Sequence, residues 1–222
     1  MQKNIIISEE IRNVVPGYRM VYIEADVANG PVTPELIAEM DRICADVTAG
    51  LEIPDINRRP PIAATRAAYK ALGKDPNRYR PSQEQLMRRL LKGQGLYHVD
   101  TLVDAGNMVS LALGSSIGVF DRDKIKGDTL TLGVGREGEP YEGIGRGPLN
   151  IAGLPVIRDA AGGIGTPTSD NERTKAGPDT RRVSICINMY DSETVTPAEA
   201  AAMMTDALLR HCSASDVTHT VI

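Results

Sequence analysis

Tryptophan is absent from the 222 residues and phenylalanine occurs once, so aromatic packing rests on seven tyrosines. Tyr18, Tyr22, Tyr69, Tyr79, Tyr97, Tyr141 and Tyr190 are scattered along the chain. That distribution suits core or edge packing better than a base-stacking platform. The three cysteines, Cys44, Cys186 and Cys212, lie far apart with no CxxC, which argues against a disulfide framework or a thiolate zinc site and implies reduced, mostly buried thiols. His98, His211 and His219 form neither an HxxxH nor an HxH pair, so no metal is expected, and no Ser-His-Asp arrangement can be read from spacing. The glycine clusters at Gly133-Gly135, Gly143-Gly147 and Gly162-Gly165 fit neither the dinucleotide fingerprint nor a P-loop; hairpin turns are expected there, and no cofactor. Uninterrupted apolar runs stay short of the 18 residues that a membrane span requires, and MQKNIIISEE lacks the long apolar stretch and cleavage site of a secretory signal. The expectation is a cytoplasmic protein with no membrane partner.

What is present is enough apolar material, 41%, to fill the core of one compact domain over residues 1–222. Ile5–Ile7 reads as a short strand and Ser8 as the cap of a brief helix. Tyr18–Val27 alternates, with Val21, Ile23, Ala25 and Val27 on one inward face. Thr33-Pro34-Glu35 opens a helix whose stripe is Leu36, Ile37, Met40, Ile43, Cys44 and Val47. Pro60-Pro61 begins another, with Ile62, Tyr69 and Leu72 inward. Ser82 with Gln85 fits a capping box before a stripe of Leu86, Met87, Leu90 and Leu91. Leu102–Leu113 is too densely apolar for a surface helix, and Asp104 and Asn107 share one of its faces. Beyond Gly114, short strands are expected at 118–120, 129–134, 140–144 and 154–158, the last an edge strand because of Pro155. Arg181–Met189 alternates cleanly. Thr196-Pro197-Ala198-Glu199 is a capping box for a closing helix lined by Met203, Met204, Ala207 and Leu208.

Charge is unevenly placed. The net value is −4, yet residues 58–92 carry ten basic side chains against two acids, a local charge of +8 that leaves −12 for the remainder. A solvated face and an anionic partner both account for such a block. An exposed Glu84–Arg88 pair would contribute only about 0.3–0.5 kcal/mol, which gives stability little reason to crowd Arg88, Arg89 and Lys92 onto one helix.

The Ser82–Arg89 helix start with its double arginine, Val103-Asp104 followed by Asn107, Gly114, Phe120-Asp121, Ile125 with Gly127, Asp159 with Gly162, and Thr180 with Val183 form a combined pattern. It resembles the editing module of the phenylalanyl-tRNA synthetase beta subunit over roughly residues 58–190. The resemblance implies an α+β fold, antiparallel and mixed sheets packed with helices in a layered sandwich. Residues 1–57 would then be an N-terminal β-α elaboration and 191–222 a closing helix and tail. It further implies tRNA or aminoacyl-tRNA as partner, with hydrolysis of a mischarged aminoacyl-tRNA in trans as the activity. A non-catalytic module for RNA or an amino-acid-like small molecule is the alternative. Asn107 matches the asparagine of the family's pocket motif. The threonine usually before it is Gly106, the pocket histidine of bacterial synthetases is Gly118, and alignment through Thr180 puts Cys186 in the glutamate column. In place of those groups stands a polar loop, Gly165-Thr166-Pro167-Thr168-Ser169-Asp170 followed by Arg173, expected to border the same cavity as Asn107 and Gly118. Backbone amides of Gly162, Gly163 and Gly165 would be available to a developing oxyanion.

RNA contact is expected through Arg58, Arg59, Arg66, Lys70, Arg88, Arg89 and Lys92. With the remaining charge opposing a larger footprint, only about 2–4 phosphates should be neutralised, and a tRNA titration at several salt concentrations should return a log–log slope of that order.

Overall fold

The computed structural model describes residues 2–222. Ten strands and six α-helices run in the order β1 (Asn4–Ile7), α1 (Glu9–Val14), β2 (Arg19–Asp26), α2 (Pro34–Thr48), α3 (Pro60–Ala71), α4 (Ser82–Leu91), α5 (Thr101–Leu113), β3 (Ser116–Asp121), β4 (Thr129–Val134), β5 (Glu142–Gly143), β6 (Gly147–Pro148), β7 (Pro155–Asp159), β8 (Gly162–Gly165), β9 (Arg182–Met189), α6 (Pro197–His211) and β10 (Ser215–Val221). One sheet has the order β1-β4-β7-β8, a second the order β10-β2-β9-β3, and β5 and β6 form a small hairpin. Pairing is antiparallel except between β1 and β4. The α+β layered architecture is thus as expected.

The central strands of the second sheet, β2 and β9, are covered on both faces. Val21, Ile23 and Ala25 of β2 and Val183, Ile185, Ile187 and Met189 of β9 pack against α2, α5 and α6. On the other face Met20, Tyr22, Phe120 and Cys186 pack against Ile7, Leu130, Leu132, Ile157 and Ile164 of the first sheet. Strand β2 therefore buries two faces where one was expected. Its inner polar groups are paired: the Tyr22 hydroxyl donates to Glu24 Oε1 at 2.6 Å and lies 2.9 Å from Ser184 Oγ, and the Tyr18 hydroxyl donates to Asn188 Oδ1 at 2.7 Å.

Local chemistry explains most helix starts. Thr33 accepts from Leu36 N, Asp100 accepts from Val103 N, and Thr196 with Glu199 forms the reciprocal capping box. Other expectations fail for tertiary reasons. The Ser82–Gln85 box does not form, because Pro81 is the N-cap and Ser82 N donates to Pro167 O at 2.7 Å while Gln85 reaches Arg80 O and Thr168 O. Pro155 opens β7, which lies inside its sheet; as the first residue of the strand, opposite Val134, it lies beyond the reach of β8, whose pairing begins at Ile157. Gly133 and Gly162–Gly165 belong to strands rather than turns. Met203 is exposed, and Ala200, Ala201, Met204, Ala207 and Leu208 line the buried side of α6. Residues 215–221, expected as tail, pair with β2 as an edge strand.

The basic segment turns much of its charge inward. Glu84 is fully buried and binds Arg66 Nη1 at 2.8 Å and Arg88 Nε at 2.7 Å, with Arg80 at 3.7 Å. Arg66 also donates to Pro76 O and Asn77 Oδ1, and Arg88 to Asn57 Oδ1. Glu84 thus joins α3 to α4 through Arg66, and its i,i+4 pair with Arg88 is part of that buried junction, not an exposed pair. Removing the acid would leave buried cations without compensation, for which about 3–5 kcal/mol is typical. Glu84→Ala should lose stability of that order in urea denaturation, far beyond the tenths expected of a surface pair.

Candidate functional site

A cavity of about 400 Å³ opens at the free edge of the second sheet, between the first two turns of α5, the outer face of β3 and the segment 170–178. Its walls are mostly apolar, with Val99, Val103, Ile117, Val119, Ile144, Ala176 and Pro178 forming most of the surface. Asn107, Asp170, Asp100 and Lys175 are its polar and charged members. Few polar groups on an apolar wall is the usual make-up of a small-molecule site.

Two buried hydrogen-bonding centres hold the walls together. Asn29 Oδ1 accepts from Gly30 N, Thr101 Oγ1 and Leu102 N, while its Nδ2 donates to Gly177 O at 2.8 Å. One side chain thus ties the end of β2, the start of α5 and the far wall. Asp104 accepts from Val99 N at 3.0 Å and lies 2.7 Å from His98 Nδ1, which fixes the loop carrying Val99. Asn107, on the same helix face, is half-buried and its amide makes no hydrogen bond among the described residues. Helix α5 can approach β3 this closely because of Gly106: a β-carbon there would stand 2.9 Å from Val119 Cγ2. A mid-helix glycine costs about 1 kcal/mol relative to alanine, and the close crossing gives a reason for it.

Gly118 and Gly165 face inward behind the cavity. A β-carbon at either would stand 2.5 Å from Phe120 Cζ, and 3.3 Å and 3.0 Å respectively from Asp170 Oδ1. The space beside Gly118 is filled by that ring edge and that carboxylate. Asp170 Oδ2 accepts the backbone N–H of Val119 at 3.2 Å. Burial pushes the Asp170 carboxyl up to about 7, and the Val119 N–H opposes this in part.

Of the residues singled out in the sequence, the structure brings Asn107, Gly106 and Asp170 onto one cavity. Gly118, Gly165 and Thr166 lie in the packed seam behind it, and Thr166 Oγ1 is engaged with Ser169 O and the N–H groups of Thr168 and Ser169. Cys186 is buried between the sheets opposite Gly118, where burial raises its thiol. Arg173 points elsewhere, held in a two-pronged bond to Asp159 at 2.8 and 2.9 Å. The loop from Gly165 thus borders the Asn107 cavity through Asp170 and not through Arg173. Gly162, Gly163 and Gly165 are strand residues of β8 paired with β7, outside the cavity wall. Of the basic candidates, Arg58, Lys70 and Lys92 are exposed, Arg59 donates to Val47 O, and Arg66 and Arg88 are bound to Glu84. Asn29, Val99 and Lys175 went unnoticed; Asn29-Gly30 carries a turn signal and nothing in sequence that points to a wall of a cavity.

This is an α+β domain with two carboxylates, Asp100 and Asp170, and one unengaged amide on a mostly apolar cavity. The B3/4 domain family profile matches residues 64–221, and the chain belongs to that family. It is 34% identical over 129 residues to the phenylalanine–tRNA ligase beta subunit of Bartonella henselae, covering 57% of this chain and 16% of the relative. The corresponding subunit of Solibacter usitatus is 30% identical over 160 residues, covering 69% of this chain and 20% of the relative. The chain therefore spans a fifth or less of the length of these relatives. In fold it is similar to an N-terminal fragment of the phenylalanyl-tRNA synthetase beta subunit from Pyrococcus horikoshii, with a TM-score of 0.51 at 13% identity, over the whole of this chain and 55% of the fragment. No helix among the described residues is long and apolar enough to cross a membrane.

The raised value of Asp170 has a measurable consequence for stability. The folded protein holds this proton more tightly than the unfolded chain, whose value is near 3.8, so stability falls as pH rises from about 4 to about 7 and is flat above. Asp170→Asn keeps an acceptor for Val119 N–H and removes the charge. Its thermal midpoint should exceed that of the wild type by several degrees at pH 8 and match it near pH 4.

Proposed function

We propose that this chain hydrolyses, in trans, the ester joining a wrongly attached amino acid to the 3′ end of a tRNA. Family membership supports a tRNA-related role, and the single observation that carries the chemistry is the enclosed Asp170 carboxyl on the same cavity as the unengaged Asn107 amide. The apolar lining suits an amino acid with an apolar side chain. In the ionised form Asp170 accepts a proton from a water whose oxygen attacks the ester carbonyl. Asn107 donates its N–H to the oxygen that gains negative charge. Collapse of the tetrahedral intermediate breaks the carbon–oxygen bond to the ribose. The proton held by Asp170 passes to the departing ribose oxygen, which leaves the amino acid and an intact tRNA.

A second reading, binding of an aminoacyl end without hydrolysis, draws support from Gly118 standing where the bacterial synthetases have histidine. A screen of charged tRNAs separates the two. Hydrolysis predicts release of one amino acid above the buffer rate, with the enzyme-dependent part rising as pH passes through about 7. Asp170→Asn should lower that part by roughly 10²–10⁴-fold while tRNA binding persists. If every charged tRNA decays at the buffer rate, the hydrolytic reading is lost and the binding reading stands.

Phosphate contact belongs in this reading to the exposed members of the basic segment, Arg58, Lys70 and Lys92, whereas Arg66 and Arg88 are fixed by Glu84. A Lys70→Glu, Lys92→Glu variant should weaken tRNA binding and reduce the salt slope by about 2, with the fold unaffected. An unchanged slope would assign these lysines to solvent.

A further inference from the structure

Between α4 and α5 the chain makes a short excursion, Lys92–Val99, bent at Gly93 and Gly95, which have φ values of +70° and +64°. It carries the two most exposed large apolar side chains of the described residues, Tyr97 at 69% and Val99 at 62%. The excursion is anchored at its end by Asp104, through Val99 N and His98. Tyr97 is itself braced from one side: the Arg89 guanidinium lies 3.7 Å from its ring centroid. Arg89 Nη2 donates to Gln94 O at 3.2 Å, its Nε is buried without a partner, and Nη1 makes no hydrogen bond among the described residues. Val99, two residues on, is part of the cavity wall.

An isolated exposed tyrosine needs no explanation. This one is an aromatic face held by a cation, on an anchored loop whose Val99 lines the cavity, directly after the basic segment 58–92. A flat ring beside an arginine whose Nη1 is unengaged fits a ligand that is both planar and anionic, which describes a nucleotide. Duplex RNA hides its base faces, so the nucleotide must be unpaired.

We propose that the Tyr97–Arg89 pair is a stacking platform for an unpaired nucleotide at the 3′ end of an RNA, with Arg89 and Lys92 on its phosphates. The platform rests on the reading that the adjacent cavity receives the amino-acid end of an aminoacyl-tRNA. It positions that end by taking hold of the nucleotide just outside.

The test uses uncharged RNA, so that it does not depend on hydrolysis. An RNA hairpin with a four-nucleotide unpaired 3′ extension and the same hairpin with a blunt end are titrated with the full chain at one low salt concentration, followed by fluorescence anisotropy. The wild type should prefer the extended hairpin by roughly tenfold, the scale of one stacked base. Tyr97→Ala should remove that preference and leave the blunt hairpin unchanged, Tyr97→Phe should retain it, and Arg89→Gln should weaken it. Equal binding of the two hairpins, or a Tyr97→Ala variant that keeps the preference, overturns the platform; in that event the exposed pair is a contact for a protein. If the preference and its dependence on Tyr97 hold while no charged tRNA is deacylated, the platform survives and hydrolysis alone is refuted.

Discussion

Burial of β2 and β9, the central strands of the β10-β2-β9-β3 sheet, on both faces is the constraint from which the other features follow. Strands β2 and β9 sit between a helical layer and a second sheet, so alternate residues contribute to two separate cores. Polar groups inside such a sandwich have no water, and Tyr18, Tyr22, Glu24, Ser184 and Asn188 satisfy one another across the strands. The sheet ends at β3, and the treatment of that edge creates the site. Among the described residues no fifth strand pairs with it. The Val119 N–H is taken by the Asp170 carboxylate, and the backbone at Phe120 bridges to Lys175. The segment that closes an otherwise open edge is also the wall of the cavity.

The same edge shows how a pocket can change its chemistry with little change in fold. A carboxylate beside β3 needs room on its inner side, and two glycines, Gly118 and Gly165, supply it from different strands. Neither glycine has a positive φ, so the requirement is space and not backbone freedom. The Phe120 ring fills what the carboxylate leaves. A side chain at position 118 and the Asp170 carboxylate are therefore alternatives for one volume.

The basic stretch likewise divides by geometry. One acid at the junction of α3 and α4 engages Arg66 and Arg88, and their charge serves the packing of two helices. Arg89, next in sequence to Arg88, turns outward to Tyr97. Adjacent arginines on one helix thus serve separate purposes because successive positions point about 100° apart.

The sequence by itself determined the helices and strands whose signals are local: the caps at Thr33 and Thr196, the dense apolar run of α5, the alternation of β2 and β9, and the family pattern that placed Asn107 in a pocket. Capping and periodicity act within a few residues, so they are written in the chain at short range. Tertiary structure decided the remainder. Ser82 lost its capping role to Pro167, the seven residues 215–221 gave no hint that they would join β2, and the four residues Gly162–Gly165 became a strand only because β7 offered an edge. Asp170 acquired its proton affinity from burial beside β3, where Val119 N–H, 51 residues away, opposes it in part, and Arg66 lost its solvent to Glu84 across an 18-residue separation. Such outcomes depend on which surfaces meet after the layers pack, and a linear pattern carries no measure of that distance.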